Sequence, residues 1–179
     1  SIFDVSKKLA RTYSYGGGCG TNLNNLRPNG ATVNNAAKET TGSVSFMPLY
    51  SLVTEIIGQK HRRGALMLSL SVEHPDIEEF IDLKTDVDKV TKANISVEIT
   101  DDFMEAVDND EEFELKFVVE DTGEVVVERV DARRLFNKLA YSNWYSAEPG
   151  ALFWDKIENY NLLGEDDEFK YAGVNPCAR

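Results

Sequence analysis

The chain has 179 residues and a formal net charge of −12, and 42% of its residues are hydrophobic. This composition is typical of one globular domain, and no apolar run approaches the roughly 20 residues that a membrane helix needs. The acidic charge argues against binding of a nucleic-acid backbone, and the first residues do not match a secretory signal. We therefore expect a cytoplasmic protein with no membrane or nucleic-acid partner.

From the amino terminus, residues 1–14 have the apolar period of an amphipathic helix. The glycine-rich run 16–22 follows, and it is either a flexible turn or a place where the backbone closely approaches a ligand. Residues 25–43 have no apolar period, so they are either disordered or a functional loop. Ser45 is the expected cap of the next helix, whose apolar positions are Leu49, Leu52, Val53, Ile56 and Ile57.

Residues 58–64 form a basic turn between two glycines in an otherwise acidic chain. The planar fork of arginine suits phosphates and bases, so the turn is either a local anion site or a solvated basic surface. The residues between the glycines are Gln59, Lys60, His61, Arg62 and Arg63. Composition alone leaves both interpretations open.

The middle of the chain alternates strands and helices. Residues 65–72 alternate strictly between an apolar face and a smaller, more polar one, which predicts a strand. Pro75 stands where the next helix begins, and residues 95–99 give a second alternating strand. Thr100 is the expected cap of a short helix that runs through Val107.

The last third of the chain shows a hairpin followed by helices. Residues 108–112 are expected to be a solvated acidic turn, and residues 113–127 have the pattern of a β-hairpin. Asp131 caps a further helix, and Gly150 separates it from a last helix that contains Leu152. Three aromatic residues at helical spacing are expected in the core: Trp144, Tyr145 and Trp154. The mixture predicts a single α/β domain, and periodicity leaves its topology open.

Cysteine and histidine are sparse. Cys19 and Cys177 are too few for a disulfide framework, which suggests a reducing compartment. They could pair, but nothing in the sequence indicates that they do. His61 and His74 have no cysteine or histidine cluster around them, so no metal site is expected. His74 is better interpreted as a residue at the entry of a helix.

Eight short blocks occur in a fixed order along nearly the whole chain. They are residues 16–22, 26–30, 42–47, 62–67, 74–81, 97–107, 148–153 and 175–177. Each block alone is weak evidence for a protein family, but the ordered set is specific evidence. It resembles the large, catalytic subunit of ribonucleotide reductases, most closely the adenosylcobalamin-dependent type.

The resemblance implies a fold. In that family the catalytic domain is a ten-stranded α/β barrel made of two half-barrels, with a cysteine-bearing finger loop in its centre. The chain is similar to most of one half, so residues 1–179 would be one domain that ends at the cysteine finger.

The resemblance also implies catalytic roles. Cys177 matches the cysteine that becomes a thiyl radical and abstracts the 3′ hydrogen of a ribonucleotide. Asn175 matches the asparagine that hydrogen-bonds the hydroxyl side of the ribose. Gly17 and Gly18 match backbone positions that line the substrate.

Two loops would carry nucleotide recognition. Residues 58–64 match the specificity loop between the substrate base and the effector base, where Arg62 would touch the substrate. Residues 27–42 match the neighbouring effector loop, where Arg27 would contact the effector phosphates. A deoxynucleotide bound by one loop would bias the base accepted by the other.

The implied cofactor is adenosylcobalamin, whose contacts would lie largely outside this chain. The implied partners are a ribonucleoside di- or triphosphate substrate, a deoxynucleotide effector, the remaining half of the reductase and a thioredoxin-like reductant. The family also implies a dimer.

The chain departs from the family pattern at three places. Arg179 stands where the family has a glutamate two positions after the cysteine, and Cys19 is not at a family redox position. The order Gly-Gln-Lys-His at residues 58–61 differs from the commoner Gln-Gly-Gly-Lys. Two alternatives therefore stay open: a catalytically inactive nucleotide-binding or assembly fragment, and a reductase with a separate radical-generating subunit. The blocks 62–65 and 175–177 argue against the second.

Overall fold

The computed structural model of the chain describes residues 1–58, 64–85, 90–164, 166, 169, 171 and 173–176. Its helices are α1 (Ile2–Ser14), α2 (Met47–Ile57), α3 (Ile77–Asp82), α4 (Asp101–Asp108), α5 (Ala132–Ser146) and α6 (Trp154–Asn159). Its strands are β1 (Cys19–Asn22), β2 (Leu66–Ser71), β3 (Asn94–Ile99), β4 (Glu112–Val118), β5 (Val125–Asp131) and β6 (Gly150–Phe153). None of the helices within these ranges is long and apolar enough to span a bilayer.

The strands form two sheets in the described part of the chain. The first has the order β1-β2-β3-β6, and each neighbouring pair is parallel. The second is the antiparallel hairpin of β4 and β5. Each new strand of the parallel sheet is added on the same side, so the spatial order follows the chain order. The predicted α/β class is confirmed.

The two faces of the parallel sheet differ in chemistry because successive side chains point to opposite sides. One face is apolar and joins residues of α1–α5 in a single core; its central residues are Leu66, Leu68, Leu70, Ile95, Val97 and Ile99. The opposite face carries Met67, Ser69, Ser96 and Glu98, which are also buried.

Local capping signals explain where several helices begin. Ser1 and Asp4 form a capping box at α1. The Thr100 hydroxyl accepts a hydrogen bond from the backbone N–H of Phe103 at the start of α4. The Asp131 carboxylate accepts one from the N–H of Arg134, at 2.7 Å, at the start of α5. These helices and the hairpin are confirmed.

Within the glycine-rich run 16–22, for which two interpretations were left open, Cys19–Asn22 is a strand that pairs with β2. Two predictions about element boundaries are wrong. Leu152 lies in the strand Gly150–Phe153, which pairs with β3, rather than in a helix. Ser45 does not cap α2; its hydroxyl donates to the carbonyl oxygen of Gly42 at 2.7 Å, and Phe46 precedes the helix.

The helix α2 was predicted correctly, but its orientation was not. Leu52 and Ile56 lie on the predicted buried face, and they are 50% and 67% exposed. The buried side instead includes Tyr50 and Thr54, and the Thr54 hydroxyl bonds to the Tyr50 carbonyl oxygen and to Tyr13. An apolar stripe of α2 therefore faces outwards.

The aromatic residues of α5 are also not in the core. Trp144 is 78% exposed and Tyr145 is 65% exposed, because α5 buries the side that carries Leu135 and Leu139. The Tyr145 ring stacks on that of Tyr141, with centroids 6.3 Å apart. Trp154 is half-buried at the start of α6.

Candidate active site

The chain segment 173–176 runs along β1 in the direction opposite to that strand. Val174 lies beside Gly20, and Pro176 lies beside Gly18. A Cβ atom on Gly20 would lie 1.6 Å from the Val174 carbonyl oxygen, and one on Gly18 would lie 2.6 Å from Cγ of Pro176. The segment can approach β1 this closely only because β1 and the residue before it carry no side chains at these positions.

The end of this segment contacts the beginnings of the sheet strands. The Asn94 side chain at the start of β3 donates to the Pro176 carbonyl oxygen at 3.3 Å. Asn175 is exposed on the segment. Cys177, the predicted thiyl residue, follows directly and lies outside the described residues.

Gly17 and Gly18 are glycines for different reasons. A Cβ on Gly17 would lie 2.7 Å from Cγ2 of Thr12 in α1, so this glycine allows the helix to end close to the strand. Gly18 is exposed and faces Pro176. Their predicted role in lining the substrate with backbone atoms stays a prediction.

A cleft of about 470 Å³ opens beside Asn94, at the end of the sheet where β2 and β3 begin. Gly58 and Gly64 line it, and they flank the basic segment. A volume of this order is usual for a small-molecule site. The predicted recognition residues between these glycines lie outside the described residues: Gln59, Lys60, His61, Arg62 and Arg63.

A buried ion pair lines the same cleft, and the sequence analysis did not predict it. Nζ of Lys84 lies 2.9 Å from Oε2 of Glu148. The ammonium also donates to the carbonyl oxygens of Val90 and Ala93, at 2.8 and 2.7 Å. Glu148 Oε1 accepts a hydrogen bond from the N–H of Ile95 at 3.3 Å. The pair therefore ties the segments before β3 and β6 together at the wall of the cleft.

A second carboxylate is buried on the polar face of the sheet. Glu98 accepts hydrogen bonds of 2.6 Å from the Ser69 hydroxyl and from the Asn24 amide. The Asn24 carbonyl oxygen in turn accepts from the N–H of Ser71. Burial raises the pKa of Glu98 above its usual value. This network holds the segment after β1 against β2 and β3.

The loop 27–42 follows this segment, and an open pocket of about 450 Å³ lies beside it, lined in part by Arg27. The Arg27 guanidinium donates to the Thr32 carbonyl oxygen at 3.2 Å and pairs with Asp121 of the hairpin turn. The N–H of Thr32 donates to Glu124 of the same turn at 3.0 Å. Two donors of the loop are therefore bound to carboxylates.

The two predicted nucleotide loops are attached to opposite ends of α2. The loop 27–42 leads towards the first residue of α2, whereas Gly58 follows its last residue. At 1.5 Å per residue, this 11-residue helix is roughly 16 Å long. Within the described part of one chain, the attachment points of the two loops are therefore separated by the length of the helix.

The described residues thus form an α/β domain in which a close-packed segment lies along β1, the first strand of the parallel sheet. The family model for "Ribonucleotide reductase, barrel domain" matches residues 1–178. The chain belongs to this family, which confirms the resemblance predicted from the ordered blocks.

Similar proteins include cobalamin-dependent members of the family. The vitamin B12-dependent ribonucleoside-diphosphate reductase of Thermoplasma acidophilum is 35% identical over 178 residues, and that of Mycobacterium tuberculosis is 32% identical over 179. The vitamin B12-dependent ribonucleotide reductase of Streptomyces clavuligerus is 32% identical over 203 residues. The matches cover 98%, 99% and 99% of this chain and 22%, 25% and 20% of these relatives. The chain thus spans a quarter or less of their length.

Proposed function

We propose that this chain forms part of the catalytic barrel of a ribonucleotide reductase, which reduces ribonucleotides to deoxyribonucleotides by thiyl-radical chemistry. The observation that carries the proposal is the course of the segment 173–176. It follows the glycine positions of β1 and ends directly before Cys177. Glycine at Gly18 and Gly20 leaves room for this segment to lie against β1.

In the proposed reaction, the sulfur radical of Cys177 takes the hydrogen atom from C3′ of the ribose. A dithiol outside this chain supplies two electrons and two protons and becomes a disulfide; one proton leaves with the 2′-hydroxyl as water, the other forms the new C2′–H bond, and the hydrogen atom returns from Cys177 to C3′. A thioredoxin-like reductant then restores the dithiol. Asn175 would bind the hydroxyl side of the ribose, and Gly17 and Gly18 would line the substrate with backbone atoms.

The two loops would bind nucleotides on either side of α2. We assign the effector phosphates to Arg27 in the loop 27–42 and the substrate base to Arg62. The other proposed members of the specificity loop are Gln59, Lys60, His61 and Arg63. The substrate would be a ribonucleoside di- or triphosphate, and the effector a deoxynucleotide.

The proposed architecture is one half of a ten-stranded α/β barrel, with residues 1–179 as a single domain. Support comes from the chain-order arrangement of parallel strands and from the helices α1–α5 packing on one face. Strands β1 and β6 are the edges of this sheet among the described residues, and closure into a barrel removes such edges. The remaining half of the reductase would supply the strands that pair with them.

Adenosylcobalamin is the proposed cofactor, and when bound it would supply the radical that oxidises Cys177. The resemblance that implies this cofactor places its contacts largely outside this chain.

We also propose that the protein acts as a dimer in the cytoplasm. The exposed Leu52 and Ile56 give α2 an outward apolar stripe that a second copy could cover. In a two-fold pair whose α2 helices run antiparallel, the beginning of one helix lies beside the end of the other. The loop 27–42 of one copy would then approach Gly58 and Gly64 of its partner.

The proposal is tested in the complete reductase that contains this chain. Cys177→Ser should abolish turnover, because an alcohol does not form the required radical, while a deoxynucleotide should still bind. Cys19→Ala is the matched control, since this half-buried thiol packs against the core and is not a proposed radical site. Residual turnover in Cys177→Ser would contradict the thiyl assignment. Deoxynucleotide binding without turnover in the wild type would favour an inactive binding fragment.

A further inference from the structure

The turn between β2 and α3 binds the loop 27–42 at both of its ends. This turn contains His74 and Asp76, whose side chains are 3% and 6% exposed. His74 was expected only at the entry of a helix, and Asp76 directly precedes α3. Their side chains instead point to a segment more than thirty residues earlier in the chain.

His74 contacts the residue just before the loop. Its Nδ1 accepts a hydrogen bond of 3.0 Å from the N–H of Asp76, which assigns the ring proton to Nε2. Nε2 then donates to the Leu26 carbonyl oxygen at 2.8 Å. Burial lowers the pKa of His74 below its usual value, which favours the neutral ring that this pattern needs.

Asp76 joins the two ends of the loop through one carboxylate. Oδ1 accepts from the N–H of Asn29 at 2.9 Å, and Oδ2 accepts from the N–H and the hydroxyl of Ser43 at 2.7 and 2.8 Å. Gly42 has φ +88°, and a Cβ there would lie 2.8 Å from Oδ2. Glycine at this position therefore lets the chain turn tightly against the carboxylate.

We infer that His74 and Asp76 are positioning residues that hold the ends of the loop 27–42 together and so set its affinity for a nucleotide. This inference rests on the proposed effector role of the loop. A loop closed by buried hydrogen bonds at its base is ordered before the ligand arrives, which lowers the conformational entropy lost on binding. Neither residue needs to touch the nucleotide.

The role of Asp76 depends on its charge, because its two oxygens accept hydrogen bonds from three donors of the loop ends. Both oxygens of an ionised carboxylate accept hydrogen bonds, whereas an amide has one accepting oxygen and a donating nitrogen. Asp76→Asn would therefore leave the nitrogen facing the N–H of Asn29 or of Ser43. Buried donors that lose a charged acceptor are costly, so one end of the loop should detach.

His74 offers a matched pair of substitutions, glutamine and methionine, which are similar to each other in length and volume. Glutamine can place its amide nitrogen near the position of Nε2 and keep the bond to the Leu26 carbonyl oxygen, whereas methionine has no donor. If the ring merely fills space, His74→Gln and His74→Met should behave alike; if it positions the loop, His74→Gln should retain more of the wild-type affinity.

The experiment measures two quantities in the complete reductase and its variants. The first is amide hydrogen exchange of peptides covering residues 26–43, and the second is the dissociation constant of each deoxyribonucleoside triphosphate. For Asp76→Asn we expect faster exchange and about tenfold weaker binding, since a lost charged hydrogen bond is worth roughly that factor. Ser43→Ala, which removes one of the three donors, should change both quantities in the same direction by less.

The control is Glu78→Gln on α3, whose carboxylate pairs with Arg134 and Lys138 of α5. It should leave both quantities for the loop at wild-type values. Unchanged exchange in Asp76→Asn and Ser43→Ala would overturn the inference. Faster exchange with unchanged nucleotide affinity would show that the hydrogen bonds order the loop but do not set its affinity, which would overturn the positioning role. Wild-type protein that binds no deoxynucleotide would instead refute the proposed effector function.

Discussion

The guanidinium of Arg27 is bound to the carboxylate of Asp121, with Nη2 and Oδ2 2.5 Å apart. Arg27 is the residue proposed for the effector phosphates, so an acidic side chain of the hairpin occupies the donor that a phosphate would use. The Asp121 side chain is 71% exposed. An ion pair this exposed contributes little free energy, so a phosphate can replace the carboxylate easily.

The first prediction follows from this competition. Asp121→Asn should strengthen effector binding about two- to fivefold, since an exposed pair is worth up to about 1 kcal/mol. Isothermal titration of the complete reductase with a deoxyribonucleoside triphosphate measures the effect. Glu128→Gln on β5 removes the same charge from an exposed position and serves as the control. An affinity equal to that of the control would show that Asp121 does not compete.

The second prediction concerns the contact between Gly20 and the segment 173–176. Gly20→Ala should displace the segment, because the new Cβ would lie 1.6 Å from the Val174 carbonyl oxygen. A misplacement of about 1 Å can cost roughly 100-fold in rate, so turnover should fall by that order while effector binding persists. Steady-state assays with and without effector make the measurement.

The control for this substitution is Gly123→Ala in the hairpin turn. A Cβ on Gly123 meets no atom within 4 Å, although its φ of +72° makes alanine strained. It therefore measures how much turnover is lost when alanine replaces a glycine with positive φ that lies far from the segment. Equal turnover in the two variants would argue against a catalytic role for the course of the segment.

The sequence was informative wherever the determining interaction is local. Ser1, Thr100 and Asp131 cap helices that begin beside them. In β2 and β3, successive side chains alternate between the apolar and the polar face of the sheet, and the sequence shows this alternation directly. β1 and β6 could not be predicted, because a strand of only four residues is too short to show an alternating pattern. They are strands because β2 and β3 pair with them.

The residues of the candidate site also divide into those that the sequence predicted and those that it did not. The ordered blocks predicted the glycine run, the segment before Cys177 and Arg27 as parts of the site, and these stay predictions. The loop contacts of His74 and Asp76 were missed, because their partners lie 33 to 48 positions away. The Lys84–Glu148 pair was missed for the same reason. Such pairs have no spacing that a single sequence reveals.

The third prediction tests that buried pair. The side chains of Lys84 and Glu148 are 14% and 12% exposed. Glu148→Gln should destabilise the ends of β3 and β6 by about 3 kcal/mol, because it leaves a buried ammonium without its counter-charge. Adding Lys84→Met should recover part of the loss. Local opening free energies from amide exchange give both values, and a double variant less stable than Glu148→Gln would contradict the account.

The last prediction is a pH dependence. The hydrogen bond from Arg134, helped by Lys138, lowers the pKa of Glu78 to about 2, below its ordinary value of 4.5. A carboxyl whose pKa is lower in the folded state stabilises the fold above the unfolded pKa, and this contribution is lost as the pH falls from 4.5 towards 2. Glu78→Gln should therefore lower the apparent unfolding temperature of the complete protein at pH 7. The difference from the wild type should shrink as the pH falls through this window, whereas a difference that is constant with pH would mean that packing rather than charge links α3 to α5.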